Sequence, residues 1–179
     1  GLLKGAFYDP NPVVMLEHKG LYWSKIAGSE EAKCIEPAED YVVPLGKARV
    51  VQEATESNSV TVITYGMGVY WAKTASKDIQ GKVEIIDLRT LLPLDEEAII
   101  NSVKRTNRCV IVTEEQQAMS FSRGIAGMIS ERCFKHLDAP VLTVGSENTV
   151  AIPLNKTLEK AMLNNAQKVK GAILKTLEF

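Results

Sequence analysis

Residues 59–88 read SVTVITYGMGVYWAKTASKDIQGKVEIIDL, in which two apolar runs flank a stretch with helical character. Residues 59–65 and 83–88 are rich in Val and Ile, a composition typical of strands that are buried on both faces. Residues 69–79 between them predict a helix. A helix that connects two buried strands is the usual crossover of a parallel sheet, so this stretch predicts a β-α-β unit.

The same alternation continues on both sides of this unit. Further strands are predicted at 109–113 and 141–144, and further helices at 95–106, 121–136, 154–163 and 166–179. Upstream, residues 48–53 alternate like an edge strand, and the polar residues 55–58 predict a hairpin between this strand and 59–65. Strands that alternate with helices form a mainly parallel sheet covered on both faces. We therefore predict a three-layer α/β/α domain with a mixed, mainly parallel sheet of about five strands.

The first 43 residues have a different character. Residues 1–8 have the composition of the end of a helix, which Pro10 and Pro12 must break. Residues 13–17 are apolar and predict a short buried strand. The irregular, charged stretch that follows predicts a linker to the next domain. The chain also begins without Met and without a helix-capping residue, so we expect it to be part of a longer protein.

Charge and cysteine content exclude several classes of protein. The 21 basic and 22 acidic residues give a formal net charge of -1, and neither sign forms a long block, so we expect no nucleic-acid partner. No apolar run approaches the roughly 18 to 20 residues of a membrane span, and no signal peptide is evident, so no membrane partner is expected. Three unevenly spaced cysteines indicate free thiols in a reducing compartment, and the predicted location is cytoplasmic.

One glycine motif resembles a dinucleotide-binding loop. Gly66-Met67-Gly68 follows a predicted strand and opens a predicted helix, and Asp87 lies about 20 residues further on, at the end of the next strand. However, Trp71 occupies the position that needs a third glycine for close packing. Two glycines that permit a tight turn are the favoured interpretation.

Other polar residues also follow predicted strands. Asp87 and Arg89 could bind a ligand at the carboxyl end of a strand, but an internal ion pair or a subunit contact is favoured. Glu114 and Glu115 are adjacent on an extended strand, so they point to opposite faces and cannot act together on one substrate atom. Neither His18 nor His136 has a nearby Ser or Cys in a nucleophile pattern, which gives hydrolase chemistry little support.

Several motifs resemble those of one family, the beta subunits of 2-oxo acid dehydrogenases. They occur in order along nearly the whole chain: NPVV at 11–14, LEHK at 16–19, YVVPLGKA at 41–48, VTVITYG at 60–66, EIIDLRTL at 84–91 and LDAPV at 137–141. The resemblance implies that residues 1–19 are the tail of a pyrimidine-binding thiamine-diphosphate domain. Residues 20–43 would then be a linker, and residues 44–179 a transketolase C-terminal-like domain.

The resemblance also implies a function. It predicts the C-terminal, subunit-packing and partner-docking portion of an enzyme that decarboxylates a 2-oxo acid, either 2-oxoisovalerate or pyruvate, on thiamine diphosphate with magnesium and then acylates a lipoyl group. The glutamate that activates the cofactor and the histidine that contacts the substrate lie upstream in this family, so no catalytic or cofactor-binding residue is expected in this chain. Alternatives are the equivalent domain of a transketolase or a deoxyxylulose phosphate synthase, and a free-standing nucleotide-binding regulatory domain.

Two sites and three partners follow from the same resemblance. Asp9, Asn11 and the backbone carbonyl of Ala6 match a monovalent-cation site, expected to take potassium; the alternative is that they only shape a Pro-rich turn. The side chain of Asp138 and the terminal carboxylate at Phe179 match a docking surface for the basic subunit-binding domain of the lipoyl acyltransferase. The alternative is that Asp138 caps a turn and Phe179 is a frayed terminus. The other implied partners are the remaining dehydrogenase domains or an alpha subunit, and a second beta-type subunit.

One loop departs from the family pattern. Where relatives carry a proline and a pair of glycines after the acidic end of the strand, this sequence has Gln116, Gln117, Met119 and Ser120. The resemblance therefore leaves the role of this loop open.

Overall fold

A single five-stranded sheet forms the centre of the protein. The computed structural model describes residues 1–23 and 25–179. The strands are β1 (Arg49–Gln52), β2 (Val60–Thr64), β3 (Val83–Asp87), β4 (Cys109–Gln116) and β5 (Leu142–Ser146). Their order across the sheet is β1-β3-β2-β4-β5, and every pair is parallel except β1 with β3. The predicted mixed, mainly parallel sheet of five strands is confirmed.

Helices cover both faces of this sheet. The helices are α1 (Leu2–Tyr8), α2 (Met67–Ser76), α3 (Glu96–Thr106), α4 (Phe121–Cys133), α5 (Lys156–Met162) and α6 (Ala166–Leu177). Val169 and Ile173 of α6 share one buried cluster with α2 and one face of the strands. Ile99 of α3 and Ile129 of α4 share a second cluster with the opposite face. The predicted three layers are therefore confirmed.

Local sequence signals account for most of the element boundaries. The side chain of Asp95 accepts the backbone N–H of Ala98 and caps α3, as its position before two glutamates indicates. Ser120 and Asn165 cap α4 and α6 in the same way. Asn107 adopts the left-handed conformation that ends α3, with φ of +61°. Helices α3, α4 and α6 therefore start where a capping side chain is available, whereas α2 starts at Gly66 without one.

Two strand predictions are wrong. The expected hairpin does not form, because β2 is bonded to β3 on one side and to β4 on the other, and β1 pairs antiparallel with the remaining edge of β3. Residues 13–17 form no strand, and all five are exposed. An apolar run forms a strand only beside another strand, and residues 13–17 have no such neighbour in the part of the chain that the structure describes.

The first 43 residues lie against the domain through a few contacts. Val43 donates its backbone N–H to the carbonyl of Gly1 over 3.1 Å, which places α1 beside the entry to the domain. Glu31 pairs with Lys73 of α2. None of the helices in residues 1–23 and 25–179 has both the length and the apolar composition of a membrane-spanning helix.

Candidate functional site

The carboxyl edge of the sheet is the region where proteins of this architecture usually bind ligands. From β2 the chain crosses through α2 to β3, and from β4 it crosses through α4 to β5 on the other side. The strand order therefore reverses between β2 and β4, and open α/β sheets bind ligands at such a switch point. Tyr65 and Gly66 follow β2 there, and Glu114 and Glu115 lie opposite them on β4.

Backbone conformation and packing explain the two glycines of the Gly66-Met67-Gly68 motif. Gly66 has φ of +57°, a conformation that favours glycine, and it turns the chain from β2 into α2. A Cβ on Gly68 would collide with the hydroxyl of Thr64 and lie 3.3 Å from the carbonyl oxygen of Val112. The tight strand-to-helix turn, which the sequence favoured over a nucleotide loop, accounts for these residues without a ligand.

A bulge in β4 determines where the two glutamates point. Val112 faces Val144 on β5 and Gln116 faces Ser146, so residues 113–115 stand opposite Gly145 alone. Oε1 of Glu115 accepts the backbone N–H of Ser122, at the start of α4, over 3.1 Å. Oε1 of Glu114 instead lies 3.1 Å from Nε2 of His18. The two carboxylates turn to different elements, so they do not act on one point, as predicted.

The contact between His18 and Glu114 was not anticipated from the sequence. The two residues are 96 positions apart, and no spacing rule relates a residue in the N-terminal segment to the bulge of a later strand. Near this contact, burial first and then the charges of Glu115 and Glu114 raise the pKa of Tyr65 to about 12. The phenol is therefore protonated at neutral pH.

Asp87 and Arg89 interact through the backbone. Oδ1 of Asp87 accepts the backbone N–H of Arg89 over 3.1 Å, and Arg89 has φ of +58°. Burial raises the pKa of Asp87, and this effect outweighs the backbone hydrogen bond and the charges of Arg89 and Arg49, which favour the ionised form. The side chain of Asp87 thus closes a turn at the end of β3 through a backbone hydrogen bond. The favoured ion pair between Asp87 and Arg89 is not found among the residues that the structure describes.

The loop that departs from the family pattern folds back on the domain. Gln116 and Gln117 donate their side-chain amides to the carbonyls of Thr149 and Thr143, over 2.6 and 3.2 Å. Ser120 caps α4. Met119, in contrast, is 99 % exposed. Three of the four departing residues thus make internal contacts.

The residues predicted to bind potassium lie together in the turn after α1. Oδ1 of Asp9 accepts the backbone N–H of Asn11 over 2.9 Å and its side-chain amide over 3.0 Å. The carbonyl of Ala6 accepts the backbone N–H of Asp9 over 3.3 Å. These bonds are those of an Asx turn. Within the described residues no three His, Cys, Asp or Glu side chains surround a common point, so the potassium site stays a prediction.

The two predicted docking residues lie towards the same edge of the sheet. The backbone N–H of Asp138 binds the carbonyl of Asn107, just before β4, so Asp138 is at the amino edge. Helix α6 begins at the opposite edge, where Asn164 bonds the carbonyls of Thr113 and Val144, and it runs back towards the amino edge before Phe179.

Both docking residues are accessible, although Asp138 already has a basic neighbour. Its side chain is 54 % exposed, and its Oδ2 lies 3.5 Å from a guanidinium nitrogen of Arg108. Phe179 is 61 % exposed. The structure thus brings an exposed carboxylate and an exposed aromatic side chain to one edge, on opposite helix layers.

Comparison with known proteins gives the family. The transketolase C-terminal domain family model matches residues 46–169. The chain is 38% identical over 182 residues to the 2-oxoisovalerate dehydrogenase subunit beta of Bacillus subtilis, covering 100% of this chain and 53% of that protein. It is 36% identical over 176 residues to a pyruvate dehydrogenase E1 component subunit beta of Rhizobium meliloti, covering 97% and 36% respectively.

A solved structure has the same fold. A chain of a split-gene transketolase, described as an inactive beta4 tetramer, superposes with a TM-score of 0.63 at 21% identity, over 79% of this chain and 45% of that one. The chain spans about half the length of the curated relatives it matches. It belongs to the transketolase C-terminal domain family, in the form found in the beta subunits of 2-oxo acid dehydrogenases.

Proposed function

We propose that this chain is the C-terminal, subunit-packing and partner-docking portion of a 2-oxo acid dehydrogenase component. The observation that carries the proposal is the similarity to dehydrogenase beta subunits along the whole chain, at 38% identity to one of them. The complete enzyme would decarboxylate 2-oxoisovalerate or pyruvate on thiamine diphosphate and acylate a lipoyl group. An enzyme acting on 2-oxoisovalerate would belong to branched-chain amino acid degradation.

The turn at Gly66 does not fit a bound thiamine diphosphate. The glycine turn that opens α2 is the natural place for a diphosphate, because backbone N–H groups and the helix dipole favour anions there. However, Oε2 of Glu114 lies 3.9 Å from the position of a Cβ on Gly66. Its carboxylate would repel a diphosphate at this turn. In this proposal the cofactor and its magnesium ion bind elsewhere in the enzyme, and this chain performs no chemical step.

The turn at Asp9 is the proposed position for potassium in the complete enzyme. Hard oxygen ligands from Asp9, Asn11 and the carbonyl of Ala6 are of the type that alkali cations prefer. The side-chain oxygen of Asn11 is available, because the contacts with Asp9 use the amide nitrogen. A bound ion would stabilise the end of α1, which has no buried residue.

The amino edge of the sheet is the proposed docking surface. A basic subunit-binding domain of the acyltransferase would be attracted by the carboxylate of Asp138 and would also contact Phe179. The remaining dehydrogenase domains or an alpha subunit, and a second beta-type subunit, would cover other faces of the chain.

The three cysteines are free, as expected for a protein of the reducing cytoplasm.

Replacement of Asp138 tests the docking surface. In the complete dehydrogenase, Asp138→Ala should slow association with the acyltransferase's subunit-binding domain several-fold at low salt and less at moderate salt, because a rim carboxylate mainly steers a cationic partner. Phe179→Ala should mainly speed dissociation. Surface plasmon resonance at two salt concentrations measures both rates.

A matched control lies on the opposite edge of the sheet. Glu147 pairs with Lys168 over 3.3 Å and is exposed, much as Asp138 pairs with Arg108 over 3.5 Å. Glu147→Ala should leave both rates unchanged. Binding of Asp138→Ala and Phe179→Ala within about twofold of the parent, about 0.4 kcal/mol, would place docking elsewhere.

A further inference from the structure

The N-terminal segment (residues 1–43) contacts the domain at His18, after an exposed stretch. Residues 10–17 are all exposed, whereas His18 is partly buried. The first tertiary contact after this exposed stretch is the one between Nε2 of His18 and Oε1 of Glu114, over 3.1 Å. His18 is therefore the point at which the segment meets the carboxyl edge of the sheet.

The imidazole ring of His18 is enclosed by its own turn. Its Nδ1 is buried and has no hydrogen-bond partner. Gly20 lies against the same side, since a Cβ there would be 3.1 Å from Cε1 and 3.4 Å from Nδ1 of the ring. A larger residue at position 20 would also come within 2.6 Å of Cδ1 of Ile26. The turn thus fixes the ring with Nε2 directed to Glu114.

Glu114 is itself held on a fixed part of the sheet. The carbonyl of Glu114 accepts the hydroxyl of Ser146 over 2.7 Å, and the next residue, Glu115, binds the start of α4. The bulge in β4 frees the Glu114 side chain from the regular alternation of the strand, and bulges re-aim side chains in this way. His18 therefore binds the side chain of a residue whose backbone is hydrogen-bonded to β5.

A second anchor lies further along the segment. Glu31 pairs with Lys73 of α2, and Gly28 packs against Thr74, where a Cβ would lie 3.0 Å from the hydroxyl oxygen. Within this second anchor the hydroxyl of Ser29 donates to the carbonyl of Ile26 over 2.6 Å. The path of the segment across the sheet edge is thus set at two points.

We propose that His18 is a positioning residue, which fastens the N-terminal segment to the β4 bulge through Glu114 and so sets how that segment crosses the carboxyl edge of the domain. This role goes beyond the proposed docking function and does not depend on it. It requires only that the contact stabilises the local order of the segment, without contributing to the core.

Hydrogen exchange of backbone amides in the 179-residue chain tests this role. The amides of Leu21, Ser29 and Ala32 report on the segment, because each donates to a carbonyl within it. His18→Ala and Glu114→Ala should each raise exchange at Leu21 about three- to tenfold, as expected for the loss of one typical, partly exposed hydrogen bond. Exchange at Val62 and Ile111 in the sheet should not change.

A double-mutant cycle and a conservative variant separate positioning from a general structural role. If the two residues act on each other, His18→Ala/Glu114→Ala should exchange no faster than either single variant. His18→Gln, which keeps a side-chain N–H donor, should restore at least half of the protection. Glu147→Ala, which breaks a surface pair within the domain, is the control and should change nothing. Unchanged exchange at Leu21, or strictly additive effects of the two alanines, would overturn the proposal.

Discussion

Two apolar stretches of similar composition differ in burial: one is exposed and the other forms part of the core. Residues 13–16 read VVML and residues 60–63 read VTVI. Val14 and Leu16 are 87 % and 81 % exposed, whereas Val60 and Ile63 are fully buried. The second stretch lies between two strands and two helix layers, and the first has no sheet beside it. Hydrophobic sequence therefore becomes core only where other elements cover it.

The largest expected effect comes from truncating one residue in each stretch. Ile63→Ala should lower the free energy of unfolding by about 2–5 kcal/mol, because it opens a cavity among fully buried side chains. Leu16→Ala should change it by less than about 0.5 kcal/mol, because the side chain is already in water. Urea denaturation followed by circular dichroism measures both. Equal losses for the two variants would contradict the contrast between core and segment.

Two glycine substitutions compare the stability of the core with that of the N-terminal segment in the same way. Gly68→Ala should cost about 1–3 kcal/mol, because the new methyl group meets the hydroxyl of Thr64 between two packed elements. Gly20→Ala in the N-terminal segment meets the flexible end of Ile26, which can move aside, so global unfolding should change by less than about 0.5 kcal/mol. Thermal unfolding of the two variants decides between these outcomes, and a Gly68→Ala protein as stable as the parent would count against the tight turn.

The smallest expected effect is on the pH dependence of the free energy of unfolding. It is seen by comparing Asp87 with the exposed Asp78. Burial raises the pKa of Asp87 above its ordinary value of 3.8, whereas the hydrogen bond and charge of Lys170 lower the pKa of Asp78. A raised pKa means that the stabilising contribution of Asp87 is present below pH 3.8 and is lost as pH rises through the folded-state value. The lowered pKa of Asp78 has the opposite effect, because its contribution is present above 3.8 and is lost in acid.

The two asparagine variants should therefore differ in sign. Relative to the parent, Asp87→Asn should gain stability between pH 3 and pH 7, because it removes the cost of a partly buried charge and keeps the acceptor for Arg89. Asp78→Asn should lose stability over the same range. The urea midpoints of both variants at several pH values measure these trends. If the two variants change stability in the same direction, burial does not determine the pKa of Asp87.

Sequence reasoning predicted the elements of the domain better than their arrangement. The helices and the five strands follow from periodicity and caps, which are local signals, as at Asp95 before α3. The partner of β1 could not be predicted in the same way, because it depends on which edge of the sheet is free. The polar residues between β1 and β2 indicated a turn, but they did not show which strand pairs with β1. In the structure β1 pairs with β3.

The candidate site was predictable only in part. The opposite directions of Glu114 and Glu115 followed from strand geometry. Their actual partners, His18 and the backbone of Ser122, depend on the bulge in β4, which the sequence does not mark with a glycine or proline within residues 113–115. Asp138 and Phe179 came from family resemblance alone, and their placement towards one edge depends on the direction of α6.

We propose that this chain packs against other subunits and docks a partner, while the chemistry takes place in other parts of the enzyme. Calorimetric titration of the 179-residue chain with thiamine diphosphate in the presence of magnesium tests this claim most directly. The carboxylate of Glu114 beside the Gly66 turn predicts no saturable heat up to about millimolar cofactor, a binding free energy weaker than about 4 kcal/mol. Saturable binding at one site with a micromolar Kd would contradict the account.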